Sequence, residues 1–400
     1  MHFRLTDEQR RIRDLAAEFA DREVAPGAAE RDATDTYPRD LFEKLSEMDF
    51  MGLCVPGEYG GAGADFLSYV LALEELSRAD AGVGVTLAVH TSAGTLPILL
   101  YGDEDQKRRW VPPLASGEKV GCFMLTEPGI GSDAGAMEAT AERTTERGDG
   151  GYRLSGHKQW ITNGRVAGTG IVFARVPEVG PTAFIVPMDA PGLSFGKHAK
   201  KMGVISATTD DVHLDGVFVP EKDVLGEPGK GLRVALGTLD PGRIGIAAQA
   251  VGIAEAAFRH AAAFAAERKT FGKAIGEHQA IAFKLAEMQV EVRAARLLTY
   301  EAAWLKDAGE RVTEAGARAK LYASGVANRV AYEALQILGG RGYMRDEGPV
   351  ERLYRDARVT EIYEGTSEIQ KLVLSRAILK EHAASLEAPA GVEEERTVVG

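Results

Sequence analysis

The sequence predicts an α+β protein in which a block of β-strands separates two blocks of helices. Near the start, Thr6 and Gln9 form a capping-box pattern, and apolar residues then recur at helical spacing. Over residues 152–214, short apolar runs are bounded by turn residues, with no helical pattern between them. After residue 231, helical periodicity returns. The expected divisions are an N-terminal helical domain, a middle β domain, a C-terminal helical bundle and a mobile tail, over residues 1–119, 120–231, 232–387 and 388–400.

The first block is expected to contain only helices, because no convincing strand pattern occurs before Lys119. A glycine-rich loop at 57–63 separates two of them. The expected helices after the first one span about 40–51, 66–78 and 83–101.

The middle block predicts an antiparallel sheet closed into a small barrel. Tyr152 and Leu154 alternate with polar neighbours directly after a glycine-rich turn. Residues 170–174 and 182–186 are short apolar runs between turn residues. Strands at this spacing are typical of antiparallel β-structure.

The last block predicts long helices packed as a bundle. Ile281, Leu285 and Met288 mark one face of a helix that ends near Asp307. Further helices are expected over 313–338, 351–357 and 369–379, and these lengths suit an up-and-down arrangement.

Composition excludes several classes of function. The 59 acidic residues exceed the 47 basic ones, so the net charge is −12 and no basic stripe exists to neutralise nucleic-acid phosphates. Cys54 and Cys122 are the only cysteines, and no CxxC or HExxH motif accompanies the eight histidines, so neither a disulfide framework nor a metal site is expected. No signal-peptide pattern and no apolar run near the ~20 residues of a membrane span are apparent. We expect a soluble, cytoplasmic protein.

Residues 362–370, Ile-Tyr-Glu-Gly-Thr-Ser-Glu-Ile-Gln, carry the strongest chemical signal. They place one carboxylate, Glu364, between an aromatic residue and a glycine, just before an amphipathic run. Backbone N–H groups at the start of a helix suit an anionic ligand. The pattern indicates proton abstraction in a partly apolar pocket.

A second segment, residues 122–135, resembles a dinucleotide fingerprint through Gly129, Gly131 and Ala134. We reject a Rossmann turn, because turns and β-type sequence follow it instead of a helix and a βαβ repeat. Thr126 and Ser132 could instead present donors to a polar ring and a pyrophosphate. A turn-rich connection into the β block is the alternative.

Three further segments have both a functional and an ordinary explanation. Trp160 and Thr162 could contact a flavin, although an isolated tryptophan is usually a core residue. The charged segment 267–272 could bind a ligand or form a solvated helix end. Asp240 and Arg243 could cap a helix or hold a nucleotide-like tail.

Together, in this order and spacing, the segments resemble the acyl-CoA dehydrogenase family over residues 5–382, most specifically at 126–133 and 336–356. The resemblance implies FAD as the cofactor, and a fold with an N-terminal helical domain, a middle antiparallel β-barrel domain and a C-terminal four-helix bundle. It implies that Glu364 is the catalytic base. The implied cofactor-binding residues are Thr126, Ser132, Trp160, Thr162, Arg268, Phe271, Gln279, Gln336, Gly339, Gly340, Thr366 and Glu368, and the implied substrate-binding residues are Ser132, Asp240, Arg243, Tyr363 and Gly365.

The implied reaction is α,β-dehydrogenation of a short- to medium-chain acyl-CoA thioester to the trans-2-enoyl-CoA. Glu364 would remove the alpha proton while hydride passes from the beta carbon to flavin N5, and electron transfer flavoprotein would take the electrons. The resemblance also implies a homotetramer, a dimer of dimers. In it, the group around Arg268 would grip the adenylate half of FAD opposite the partner's Gln336 group, and the helix containing residues 86–97 would form the far end of the acyl pocket.

The chain departs from the family pattern at residues 203–209, where Ile205 and Ala207 replace the usual arginine and serine. Some members place the base just before the arginine that matches Arg243; here that position is Gly242, so Glu364 has no rival. A flavin-dependent oxidase or monooxygenase on the same scaffold and a branched-chain acyl-CoA dehydrogenase are the alternatives. A non-catalytic assembly protein would be expected to lack the base or the flavin residues.

Overall fold

The computed structural model describes residues 4–145 and 150–387, with side chains through residue 383. The tail predicted at 388–400 lies outside the described residues. Within them, seven α-helices precede the first strand: α1 (Asp7–Phe19), α2 (Ala28–Thr34), α3 (Arg39–Glu47), α4 (Phe66–Ala79), α5 (Ala81–Val89), α6 (Leu96–Tyr101) and α7 (Glu104–Ala115).

Local sequence explains where these helices begin. The capping box of Thr6 and Gln9 is present at the start of α1, as predicted. A second capping box, formed by Asp103 and Gln106, starts α7. The sequence analysis missed α7, which contains two prolines near its end; proline usually stops a helix.

Helices α5 and α6 are joined by a π-helical turn, His90–Thr95, into one apolar stretch. By length and composition the whole stretch, Ala81–Tyr101, could cross a membrane, contrary to the expectation that no apolar run approached that length. However, 89% of its apolar window is buried inside the protein, as in the core helix of a folded domain.

The middle block forms one mixed sheet. Its strands are β1 (Val120–Met124), β2 (Thr140–Thr144), β3 (Gly151–Thr162), β4 (Ala167–Val176), β5 (Gly180–Pro187), β6 (Leu193–His198), β7 (Thr209–Pro220) and β8 (Val224–Leu225). The strand order is β6-β7-β3-β2-β4-β5-β8, and β1 pairs in parallel with β4. The β domain was predicted correctly, but the prediction that its sheet is antiparallel and closed into a barrel is wrong: the sheet is mixed. Alternation identifies strands, but it does not give the direction in which strands distant in sequence pair.

Both faces of the central strands are buried. Val172 and Ala174 of β4 lie in one apolar cluster, with Leu154 and Val212. Ile171 and Phe173 lie in a second cluster, which includes residues of α7 and of the helix that begins at Gly231. Burial on both faces explains why β4 and β5 are continuous apolar runs in the sequence.

Long helices dominate the last block. Its elements are α8 (Gly231–Glu267), a hairpin of β9 (Lys269–Thr270) and β10 (Lys273–Ala274), α9 (Gln279–Asp307), α10 (Thr313–Leu338), α11 (Gly340–Tyr343), α12 (Val350–Val359) and α13 (Ser367–Glu387). Helix α10 packs against α8, α9, α12 and α13, and α8 also packs against α4. The largest core therefore includes helices from both helical blocks.

Candidate active site

The candidate site is built on the tight turn between α12 and α13. Glu364 and Gly365 both have left-handed backbone angles, with φ of +53° and +86°. Glycine adopts this conformation freely, whereas for a glutamate it costs about 1 to 3 kcal/mol. The buried Gln370 amide supports the turn, because it donates to the carbonyl oxygens of Glu364 and Gly365 at 3.2 and 2.8 Å.

Glu364 is half-buried, and one oxygen of its carboxyl group is enclosed by protein. Its Oε2 atom is inaccessible and has no hydrogen-bond partner. Burial raises the pKa of Glu364 to about 7, against the opposing effect of the positive charges on Arg243 and Lys320. A Cβ atom at Gly242 of α8 would lie only 2.7 Å from Oε2, so a glycine there makes room for the carboxyl group. A buried carboxylate with a pKa near neutrality is suited to act as a general base.

Arg243 and Asp240 lie together on α8 beside this carboxyl group. The buried Arg243 donates from Nη1 to Asp240 Oδ1 at 2.8 Å, and the Thr313 hydroxyl donates to Asp240 Oδ2 at 2.5 Å. Arg243 Nε has no partner within the described chain. One buried guanidinium N–H therefore remains available for a polar group of a ligand.

Apolar side chains surround the other side of the turn. The Tyr363 hydroxyl donates to Gln249 Oε1, and Gln249 Nε2 donates to the Ala81 carbonyl oxygen at 2.8 Å, which fixes the ring. The ring packs against a small apolar cluster, formed by Val85, Val89, Ala93, Ala207 and Ile246. Val89 and Ala93 come from the helical stretch in which the far end of the acyl pocket was expected.

The π-helical turn beside this cluster is anchored by a neutral histidine. His90 Nδ1 accepts from the Gly121 N–H at 3.0 Å, so its Nε2 carries the proton that is donated to the Met51 carbonyl oxygen at 3.1 Å. Burial lowers the pKa of His90 to about 4, so the ring stays neutral near pH 7. A Cβ on Gly94 would lie 2.6 Å from the Gly121 Cα, so the turn and β1 approach closely only because both residues are glycines.

A buried ion pair positions the loop that carries Thr126. Lys158 of β3 donates to Glu127 at 2.6 Å, and both side chains are almost fully buried. The Gln159 N–H donates to the Thr126 carbonyl oxygen at 2.9 Å. These contacts join the β1–β2 loop to β3 immediately before Trp160.

The structure places Trp160 outside the core. The residue lies in a bulge of β3 between Lys158 and Ile161 and has a φ of +58°. It is 62% exposed. Thr162 is half-buried further along the strand, and Ser132 is exposed in the β1–β2 loop. No helix follows that loop apart from a single 3-10 turn, which agrees with the rejection of a Rossmann turn.

Two groups of predicted cofactor residues lie on exposed corners of the chain. Phe271, in the β9–β10 turn near Arg268, is 96% exposed and has a φ of +52°. At the corner between α10 and α11, Gln336 is exposed, and Cβ atoms added to Gly339 or Gly340 would meet no atom within 4 Å. Both corners present open surface for a ligand or a partner subunit.

Thr366 and Glu368 begin α13. The Thr366 hydroxyl accepts from the Ile369 N–H at 3.3 Å and so caps the helix. Glu368 is exposed, and hydrogen bonds from its own backbone N–H and from the Thr366 hydroxyl lower its pKa.

Sequence reasoning missed three residues that support the site. Lys320 donates to the Gly365 carbonyl oxygen at 2.7 Å, and Glu127 and Lys158 form the ion pair under the Thr126 loop. Lys320 had a detectable signal, since it occupies an otherwise apolar face of a predicted helix. No group of three His, Cys, Asp or Glu side chains within residues 4–145 and 150–387 could hold a metal ion.

The exposed features fit a flavin dinucleotide. Trp160 offers an aromatic face beside the donors of the Thr126 loop. The Trp160 and Phe271 side chains are both largely exposed and leave aromatic surface open to a ligand or a partner. The glycines at 339 and 340 leave space for close approach of a nucleotide.

Family models cover almost the whole chain. The acyl-CoA dehydrogenase N-terminal, middle and C-terminal domain models match residues 6–118, 122–217 and 229–379. An acyl-CoA dehydrogenase of Bacillus subtilis is 47% identical, covering 94% of this chain and 99% of its own. A short-chain specific acyl-CoA dehydrogenase of Clostridium acetobutylicum is 46% identical, covering 95% of this chain and 100% of its own.

The fold is also that of a solved relative. The structure of butyryl-CoA dehydrogenase from Megasphaera elsdenii superposes with a TM-score of 0.92 at 44% identity, covering 95% of this chain and 100% of that one. The chain belongs to the acyl-CoA dehydrogenase family.

Proposed function

We propose that this protein is an FAD-dependent dehydrogenase of short-chain acyl-CoA thioesters, with Glu364 as the base that removes the alpha proton. The observation that carries the proposal is the Glu364 carboxyl group, which has one enclosed oxygen without a hydrogen-bond partner and a pKa raised to about 7. A C–H bond alpha to a thioester is weakly acidic, so its removal needs a close base in a site that excludes water. FAD, when bound, accepts the hydride equivalent from the beta carbon.

The chain's own residues bind and orient the reactants. Thr126, Ser132, Trp160 and Thr162 are proposed to hold the flavin ring and pyrophosphate, with Thr366 and Glu368 completing the site. Arg268, Phe271 and Gln279, with the partner-facing Gln336, Gly339 and Gly340, are proposed to hold the adenylate half. Asp240, Arg243 and Ser132 would contact CoA, and the Gly365 backbone would lie beside the substrate. Tyr363 would line the acyl pocket.

A short acyl chain is the substrate best supported. The relatives named above include a short-chain specific enzyme and a butyryl-CoA dehydrogenase. The cluster around Tyr363 supplies an apolar wall directly beside the base. Branched-chain thioesters are the alternative substrates.

Exchange of the base tests the catalytic assignment. Glu364→Gln should retain bound FAD and acyl-CoA binding but lose turnover by several orders of magnitude, because the amide cannot accept the proton. Glu361→Gln, three residues earlier and ion-paired with Arg358, is the matched control and should keep turnover. Substantial turnover by the Glu364→Gln variant would overturn the assignment.

An anaerobic titration distinguishes the substrate and reaction classes. Bleaching of flavin absorbance near ~450 nm by butyryl-CoA more effectively than by octanoyl-CoA would establish the short-chain class. Rapid O₂ consumption with the preferred thioester would instead indicate the oxidase alternative. We propose electron transfer flavoprotein as the physiological acceptor and the cytoplasm as the location.

We also propose the homotetramer, a four-helix bundle in the last block, and domain limits of 1–119, 120–231 and 232–387. One face of α9 supports assembly with further copies. Exposed apolar residues recur there every seven positions: Phe283, Val290, Leu297 and Trp304, exposed by 59, 67, 38 and 46%. An apolar seam at this spacing is typical of helix–helix interfaces.

A further inference from the structure

Lys320 is a cation in an unusual position. It lies on α10 among alanine and valine neighbours and is 0% exposed. Within the described residues its single hydrogen bond is to the Gly365 carbonyl oxygen, at 2.7 Å, and no carboxylate oxygen lies within ion-pairing distance. A buried ammonium without a contacting carboxylate is costly, and an apolar side chain would suit this helix face better. The position therefore calls for an explanation beyond packing.

The acceptor of this hydrogen bond belongs to the strained turn that carries the base. Glu364 and Gly365 have consecutive left-handed backbone angles. The Gly365 carbonyl oxygen receives two buried donors, Lys320 Nζ at 2.7 Å and Gln370 Nε2 at 2.8 Å. Gln370 is on the helix that follows the turn, so Lys320 is the donor that joins the turn to another helix.

Lys320 also acts on the base through charge. The positive charges of the Arg243 guanidinium and the Lys320 ammonium group favour the ionised form of Glu364. The charged groups that face Lys320 are Glu361 and Glu364 of the turn, Glu368 of α13 and Arg243 of α8. Burial lowers the pKa of Lys320 to about 8, so the ammonium form predominates at neutral pH. A positive charge therefore lies near the Glu364 carboxyl group.

We propose that Lys320 is a positioning residue for the proposed base: its ammonium group holds the Glu364–Gly365 turn against α10, and its positive charge favours the ionised form of the Glu364 carboxyl group. The inference rests on the proposed function of Glu364. It does not require Lys320 to touch the substrate or the flavin.

Removal of the charge has a signature that loss of packing alone does not have. The rate of the reaction, as kcat/KM for butyryl-CoA, is measured from about pH 5 to 9 with a dye acceptor for the wild type, Lys320→Met and Lys320→Arg. In Lys320→Met the pKa of Glu364 should rise, so the acid limb should move to higher pH by about one unit. The value of kcat near pH 7 should fall about tenfold to a hundredfold through misplacement of the base, with KM nearly unchanged.

The arginine variant keeps both the donor and the charge, so its acid limb should coincide with that of the wild type even if its kcat is lower. Arg318→Met, which removes an exposed charge two residues away on the same helix, is the control and should match the wild type. An acid limb in Lys320→Met that coincides with that of the wild type would overturn the proposal. An equal shift in Lys320→Arg would overturn it as well.

A second neutral variant keeps the test decisive if Lys320→Met does not fold. Lys320→Gln retains a donor and removes the charge, so a shifted acid limb supports the proposal and an unshifted one overturns it. Failure of the underlying function is separately visible, because turnover by Glu364→Gln would refute the base whatever the Lys320 variants do.

Discussion

Glu364 combines two features that each disfavour folding: a left-handed backbone angle and a carboxyl oxygen that is buried without a hydrogen-bond partner. Neither would persist unless neighbouring contacts held the residue in place. Gln370 and Lys320 provide those contacts through the carbonyl oxygens of the turn. The residue is thus held in place at a cost to stability, which is common at functional sites and agrees with the proposed role of Glu364 as the base.

This cost should be visible as a pH dependence of stability. The pKa of Glu364 rises from its ordinary value of 4.5 to about 7 in the folded protein. Between these two pH values the folded state binds more protons than the unfolded one, so stability falls as pH rises through the window. Relative to the wild type, Glu364→Gln should gain on the order of 3 kcal/mol between pH 4 and pH 8.

The measurement is urea unfolding of both proteins at the two ends of that pH range. Asp356 is also buried with its pKa raised to about 7, but it is present in both proteins and cancels in the difference. A stability difference that is the same at both pH values would contradict the burial of the Glu364 carboxyl group.

At the scale of elements, an ion pair between Glu127 of the β1–β2 loop and Lys158 of β3 holds this loop in place. Glu127 receives Lys158 at 2.6 Å and the N–H groups of Glu138 and Ala139 at 2.7 and 3.1 Å. Three hydrogen bonds to one carboxylate, one of them from the Lys158 ammonium group, fix the loop through which Thr126 is proposed to contact the flavin.

Breaking this pair should weaken both folding and flavin binding. Lys158→Met leaves the Glu127 carboxylate buried without its counter-charge, which should cost about 3 to 5 kcal/mol of stability. FAD should dissociate more readily, because the Thr126 loop loses its side-chain attachment to β3 and keeps only the backbone hydrogen bond from Gln159. The checks are thermal unfolding of the apoprotein and the FAD dissociation constant by flavin fluorescence.

An exposed ion pair in the same sheet gives the comparison. Arg143 and Glu221 are 69% and 53% exposed, so Glu221→Gln should cost at most about 1 kcal/mol and leave FAD affinity unchanged. Equal effects of the two substitutions would refute the positioning function of the buried pair.

The elements show why sequence reasoning succeeded in some places and failed in others. Helix α10 was expected at 313–338 and is found at Thr313–Leu338, because its signal is local periodicity. The parallel pairing of β1 with β4 depends on strands separated by two others in sequence, and no local pattern encodes it. The unpaired Oε2 atom of Glu364 and the hydrogen bond from Lys320 likewise depend on tertiary structure. They arise only when α8, α10 and the α12–α13 turn come together, so no local sequence pattern predicts them.

At the scale of the whole molecule, the two helical blocks share a core while the sheet lies between them in sequence. Helix α4 of the first block packs on α8 of the last block, and Gln249 of α8 bonds to the Ala81 carbonyl oxygen of α5. The Glu364–Gly365 turn is therefore placed relative to α5 by contacts between distant parts of the chain. This arrangement makes the site a product of the complete fold.

The single chain nevertheless leaves large apolar side chains exposed to solvent. The apolar face of α9, from Phe283 to Trp304, is exposed along four heptad positions, and Phe271 is almost bare. If a second copy covers the α9 face, replacing Val290 and Leu297 together with glutamate should place unpaired charges in a buried seam and reduce the oligomeric mass. Leu100→Glu, at a half-exposed leucine on α6, is the matched control and should retain the assembly. Light scattering after gel filtration measures the mass, and unchanged assembly of the Val290/Leu297 variant would exclude α9 as the interface.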